Sequence, residues 1–173
     1  MINDDYDEDS HIYEYDADCE GANVASWYIF NEWTDFEDVA KKKEILEDLF
    51  SIGLSSIITL FYRLSLRANT PTDVYYEKGD HPHPAIRILY TTHMYFERVR
   101  HGLTNIVELD YERIISNAKI ISNAVLLSNN VKFDYDKILE TNYDSITAYI
   151  EKLHEGVLKK ENSVLVYLHK NPA

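Results

Sequence analysis

The sequence predicts an α+β fold: a bundle of about five helices with a small antiparallel or mixed sheet built from the N- and C-terminal segments. Apolar residues recur at alternating steps of three and four over 46–64 and 139–157, the spacing of amphipathic helices that pack together. Residues 11–19 instead alternate with a period of two, and 163–169 are short and β-branched, which is typical of strands. We therefore expect the two ends of the chain to pair beside the helices.

The N-terminal segment is predicted to be a hairpin of residues 11–19 with 23–30. On a strand, Tyr13 and Tyr15 lie on one face, and the residues that alternate with them lie on the opposite face. The opposite face then carries a row of carboxylates about 6.6 Å apart. These carboxylates belong to Glu14, Asp16, Asp18 and Glu20.

The helices are placed by their start signals. Thr34 and Glu37 form a capping box where a helix is expected to begin, and Ile52–Leu66, apolar on nearly every side, is expected to be buried as the central core helix. The last helix is expected to end near Lys160. The predicted starts are, in order, Thr34, Pro84, Asp110 and about Asp134. No linker divides the chain, so 1–173 is expected to be one domain, with 1–10 an acidic arm that can be flexible.

Charge is distributed unevenly along the chain. The first forty residues hold thirteen acidic side chains and no Lys or Arg, whereas the other 133 residues hold seventeen of each sign, so the net charge of −13 arises at the N-terminus. This asymmetry predicts a basic partner and argues against direct binding to nucleic acid or anionic lipid. An acidic N-terminus, no uninterrupted apolar span and the single Cys19 predict the cytoplasm, that of a host cell if the protein is viral.

The acidic segment is interleaved with aromatic residues, which a purely solubilising tail does not need. We expect a non-enzymatic acidic protein that occupies a basic, nucleic-acid-binding surface of a partner protein. In composition it is similar to phage anti-restriction and anti-CRISPR inhibitors and to toxin-immunity proteins. A self-associating viral structural protein is an alternative. The predicted partner-binding residues are Asp4, Asp5, Asp7, Glu8, Asp9, Tyr13, Glu14, Tyr15, Asp16, Asp18 and Glu20.

A small helical enzyme is the competing hypothesis. His93, Glu97 and His101 are spaced by four, so they lie on one face of a helix, where His93 and Glu97 can form an acid–base pair or half of a metal site. Arg87 and His93 are separated by five residues, a spacing that resembles the Arg-x4-6-His signature of HEPN-type ribonucleases. That resemblance implies ribonuclease activity centred on these two residues.

Metal and cofactor motifs are weak. His81 and His83 are two imidazoles in a proline-rich loop that zinc or nickel can use if further ligands converge. Asp5, Asp7 and Asp9 begin like a calcium loop, but the glycine and glutamate required later in that motif are missing. With five glycines and no phosphate-binding loop or nucleophile motif, the sequence predicts no cofactor and no resident metal.

Overall fold

The computed structural model describes residues 6–35, 42–67, 74–103, 107–128 and 135–170. These residues form five α-helices and contain no strand. The helices are α1 (Glu8–Thr34), α2 (Lys42–Arg67), α3 (Pro84–Leu103), α4 (Tyr111–Ser128) and α5 (Tyr135–Lys170). The described part of the chain is mainly helical, as expected, but one of its five helices is α1, which was predicted to be a hairpin; the predicted sheet, and with it the α+β class, is wrong for this part of the chain.

The predicted hairpin of 11–19 with 23–30 lies entirely within α1. Tyr15 is buried and Tyr13 is exposed, although a strand would place both on one face. The alternation of tyrosines and carboxylates therefore led to a strand prediction, although the buried residues follow a helical period through the whole segment. The residues that α1 buries are His11, Ile12, Tyr15, Cys19, Ala22, Ser26, Phe30 and Trp33.

The predicted closing strand, 163–169, is also helical, because α5 continues without interruption to Lys170. A strand satisfies its backbone groups only beside another strand. Since α1 removes the predicted partner strands, the backbone of this segment is satisfied within its own helix. The start of α5 is close to the predicted position, since the described helix begins at Tyr135.

Capping explains where α1 begins and ends. Asp7 is its N-cap, and the Asp7 side chain accepts hydrogen bonds from the backbone N–H groups of Asp9 and Ser10. Of the predicted arm 1–10, residues 6–10 are described and 8–10 belong to this helix. Thr34, predicted to start a helix, is instead the last residue of α1.

The larger core lies between α1, α2, α3 and α4. α2 runs antiparallel to α3, and the Tyr95 hydroxyl on α3 donates to the Phe50 carbonyl on α2 at 3.3 Å. The Phe50 ring packs edge-on against Tyr95 and Phe96. This core also contains Phe30, Trp33, Leu46, Leu54, Ile58, Ile88, Val99 and Ile114.

α4 packs mainly against α2, through small side chains. Ser51 and Ser55 are buried on α2, and Ala118 and Ser122 are buried on α4. Small residues on both sides allow the helix axes to approach closely. This leaves another side of α2 uncovered, so the prediction that α2 is buried nearly all round is wrong.

A smaller core joins the first half of α1 to the start of α3 and to α5. Its buried apolar residues include Ile12, Tyr15, Ile86, Tyr90, Ile146 and Leu153. Gly156 makes this packing possible, because a β-carbon at that position would lie 2.5 Å from Cδ1 of Ile12. α5 therefore closes over the N-terminal half of α1.

Within α2, residues Lys43–Leu64 are long and apolar enough, with a mean hydropathy of 1.5, to cross a bilayer by length and composition. Half of that window is buried inside the protein, as in the core helix of a soluble protein. The fold is thus compatible with a soluble protein.

Candidate functional site

Two of the predicted partner-binding carboxylates are held by an arginine of the same chain. Arg87 on α3 donates through Nε and Nη2 to the two carboxylate oxygens of Asp18, both at 2.8 Å, and its Nη2 lies 2.6 Å from Oε2 of Glu14. Burial alone would lower the pKa of Arg87, but the hydrogen bond and charge of Asp18 outweigh it and raise that pKa. The guanidinium also lies 4.5 Å from the centre of the Phe61 ring. Glu14 and Asp18 therefore share one cation of the same chain, which offsets part of their negative charge.

Buried tyrosines complete this cluster. Tyr90 donates a 2.5 Å hydrogen bond to Asp18, and burial together with the Asp18 charge raises the pKa of Tyr90 well above its usual value. Tyr15, predicted to contact a partner, packs edge-on against Tyr90 and is buried, so little of its ring is accessible in this structure. Burial also raises the pKa of Cys19 to about 12, which keeps it a thiol.

The acids at the start of α1 are likewise engaged. Glu8 lies 3.1 Å from Nζ of Lys152, and Asp9 lies 2.8 Å from Nζ of Lys160; both lysines belong to α5. Asp7 caps the helix, and its hydrogen bonds to Ser10 lower its pKa. These exposed ion pairs are weak individually, but they leave less free negative charge here than the sequence suggests.

His11 links α1 to α5 and to the loop before α3. Its Nε2 lies 3.0 Å from the Gly79 carbonyl, which can only accept, so Nε2 carries the proton. Its Nδ1 therefore accepts from the Tyr149 hydroxyl at 2.7 Å. Burial lowers the pKa of His11. The sequence prediction did not identify this residue, although His11 begins the three–four spacing of α1.

The side of α1 that faces away from the bundle is exposed to solvent, and we call it the outer face. It consists of Tyr13, Asp16, Ala17, Glu20, Val24 and Tyr28. Tyr13 and Tyr28 are 63% and 64% exposed, and fifteen helical residues separate them by about 22 Å. α1 contains seven acidic residues and no Lys or Arg. The outer face is therefore aromatic and acidic.

The outer face retains only part of the predicted partner-binding set. Tyr13, Asp16 and Glu20 belong to it, and the two carboxylates make no ion pair with the described residues. Tyr13 is partly covered, since Nζ of Lys160 lies 3.8 Å from its ring centre. Asp4 and Asp5 lie outside the described residues.

The residues of the enzyme hypothesis do not converge in the described part of the chain. His93 is exposed on α3. Glu97 lies 3.4 Å from His101 in an exposed pair one turn apart. Arg87 is held by α1, as described above. Ribonuclease or metal-dependent activity at these residues stays a prediction.

His81 and His83 have separate roles. His83 is buried, its Nδ1 accepts from the Ala85 N–H at 3.1 Å, and its carbonyl accepts from the Ile86 N–H at 2.9 Å, so it caps α3. His81 is exposed and lies 3.2 Å from Glu14. No three His, Cys, Asp or Glu side chains gather as metal ligands among the residues described.

Glu47 is, besides Arg87, a second charged side chain that the fold buries, and the sequence analysis did not predict its role. Only 1% of its side chain is exposed; it accepts from the Asp110 N–H at 3.0 Å and from Nη1 of Arg113 at 2.7 Å. It thereby fixes the start of α4 against α2. Its position between the core residues Leu46 and Phe50 was the available signal, because a carboxylate on a buried stripe needs a partner.

Comparison with known proteins found no matching family model, curated protein or solved structure.

Proposed function

We propose that this is a non-enzymatic binding protein that docks the outer face of α1 onto a basic surface of a protein partner. The observation that supports the proposal best is the exposure of Tyr13 and Tyr28 on a helix without a single basic residue. Tyrosine provides a large contact area with little loss of side-chain entropy, and unpaired carboxylates attract Lys and Arg.

The intramolecular ion pairs narrow the proposed surface. Arg87 occupies Glu14 and Asp18, so the charged contacts are assigned to Asp16 and Glu20. These two are one helical turn apart, on the same side as the exposed tyrosines. The partner contact is thus a helix with aromatic ends and an acidic middle, in place of the regular row of carboxylates expected from a strand.

The partner class follows from the charge. With a net charge of −13, direct binding to nucleic acid is unfavourable, whereas a nucleic-acid-binding protein presents the complementary basic surface. An inhibitor that competes with nucleic acid for that surface fits this requirement, and cytoplasmic localisation belongs to the same proposal.

The test uses affinity capture by the intact chain and by two variants with equal charge changes. The Asp16→Lys/Glu20→Lys variant reverses the outer face, and the Glu140→Lys/Asp144→Lys variant reverses two exposed acids with the same spacing on α5. We expect the intact chain and the α5 variant to capture a basic partner protein that the outer-face variant does not capture. Binding of this partner should weaken as the salt concentration rises. Retention by the outer-face variant, or equal loss with both, would refute the proposal.

A further inference from the structure

α2 exposes a largely apolar side. Its four exposed large residues are Ile45, Ile52, Leu60 and Leu64, with 45%, 54%, 54% and 44% of their surface accessible. Leu49 is half-buried and Ser56 is exposed along the same side. Isolated exposed apolar residues are ordinary, but five turns of a helix with this pattern indicate an interaction surface.

We propose that this side of α2 is a homodimer interface, in which two copies of α2 pack antiparallel about a two-fold axis near Ser56. That register places Ile52 of one copy against Leu60 of the other, twice. Ser56 is small, so it lets the two helices approach closely at the axis.

Charge supports the antiparallel direction. Arg63 is exposed among the apolar residues of this side, about five turns after Ile45, and Asp48 is exposed at its edge, toward the opposite end of the helix. The two-fold axis brings Asp48 of each copy near Arg63 of the other, whereas a parallel pair would set like charges against each other. Asp48 already lies 3.3 Å from Nη2 of Arg113, and a carboxylate has room for a second donor.

Charge also favours a second copy of this chain, rather than a lipid bilayer, as the partner of the exposed side of α2. α2 contains four basic and three acidic residues, so two copies can meet at this helix with little repulsion between the charges that α2 carries. A helix that lies on an anionic membrane normally has a strongly basic polar face. A net charge of −13 opposes that mode of binding.

Sedimentation equilibrium tests the proposal in solution. We expect the intact chain to form a species of twice 20.2 kDa, with Ile52→Glu/Leu60→Glu monomeric up to about 100 µM. Ile120→Glu is the control, because Ile120 is 64% exposed on α4 and should leave the dimer intact. A monomeric intact chain, or a dimer that survives Ile52→Glu/Leu60→Glu, overturns the proposal. A monomer that sediments with phosphatidylcholine vesicles would assign the surface to lipid instead.

A cysteine probe tests the register. Ser56→Cys should form an intermolecular disulfide under mild oxidation, whereas Ser116→Cys, an exposed position on α4, should not. The native Cys19 is buried with a raised pKa and does not compete. Equal crosslinking at both positions contradicts the register. The Asp16→Lys/Glu20→Lys variant should still dimerise, so failure of the partner proposal would leave this one standing.

Discussion

Arg87 on α3 donates two parallel hydrogen bonds of 2.8 Å to Asp18 on α1, although the residues are 69 positions apart in the chain. The pair is largely buried, with side-chain exposures of 12% and 13%. It joins the acidic helix to the bundle and removes the Asp18 carboxylate from the surface that charge alone would assign to a partner.

Arg87→Ala should lower the free energy of unfolding by about 3–5 kcal/mol, because it leaves Asp18 and Glu14 without their cation in a part-buried site. Urea denaturation measures this change. Arg87→Lys should recover only part of it, since an ammonium cannot make the two parallel bonds. Lys152→Ala, which removes an exposed lysine, should cost about 1 kcal/mol or less. Equal costs for Arg87→Ala and Lys152→Ala would contradict this account.

Glu47→Ala should destabilise the protein by about 1–3 kcal/mol, because the Asp110 N–H and the Arg113 guanidinium both lose their acceptor. The neighbouring exposed residue supplies the control, and Asp48→Ala should change stability by about 0.5 kcal/mol or less. Chemical denaturation of both variants measures the two changes in the free energy of unfolding. A larger loss of stability from Asp48→Ala than from Glu47→Ala would contradict this prediction.

Stability should fall as the pH drops below about 6.5, the ordinary pKa of histidine. Burial lowers the pKa of His11 in the folded protein, so the unfolded chain binds the proton more readily, and the stabilisation present above this pH is lost as His11 becomes protonated. Protonation also makes Nδ1 a donor facing the Tyr149 hydroxyl.

The measurement is the free energy of unfolding between pH 8 and 5 for the intact chain and for His11→Gln. The stability gap between them should narrow as the pH falls. A gap that stays constant over this range would exclude His11 as the cause. Asp7, whose pKa is lowered by its bonds to Ser10, acts in a separate window at more acidic pH.

Gly53→Ala should destabilise the protein, because the added β-carbon would lie 2.3 Å from the buried Tyr95 hydroxyl and 2.7 Å from Cδ1 of Ile29. We expect a net loss of about 1–3 kcal/mol from overpacking, after the gain in helix propensity. Gly21→Ala places its β-carbon in open space and should stabilise α1 by up to about 1 kcal/mol. Thermal unfolding of both variants checks the contrast in sign.

The sequence predicted the helices whose signals were local and unopposed. Pro84 begins α3 as expected, and Asp110 caps α4 by accepting from the Arg113 N–H at 2.9 Å. α1 was misassigned because its period-two alternation of tyrosines and acids coincided with a three–four spacing extending to Trp33. The longer pattern was the better guide, since it spans about six helical turns, whereas the alternation covers only about two.

The site was predictable only in part, because ion pairing is a tertiary property. Residue type and spacing identified Asp16 and Glu20 as acidic, but nothing local distinguishes them from Glu14 and Asp18, which pair with Arg87 on α3. Likewise, the apolar composition of α2 indicated burial, and only the packing of the neighbouring helices shows which side stays uncovered.

The contacts that close α5 over α1 also set an order for folding during synthesis. Tyr6 meets Tyr149 across 143 positions of chain, and the lysines that pair with Glu8 and Asp9 are made equally late. α1 therefore leaves the ribosome with seven negative charges and no Lys or Arg of its own. Ile12, Tyr15 and Cys19, the part of its buried side that packs with α5, become fully covered only after α5 is made, so we expect α5 to dock after α1 to α4 have been made.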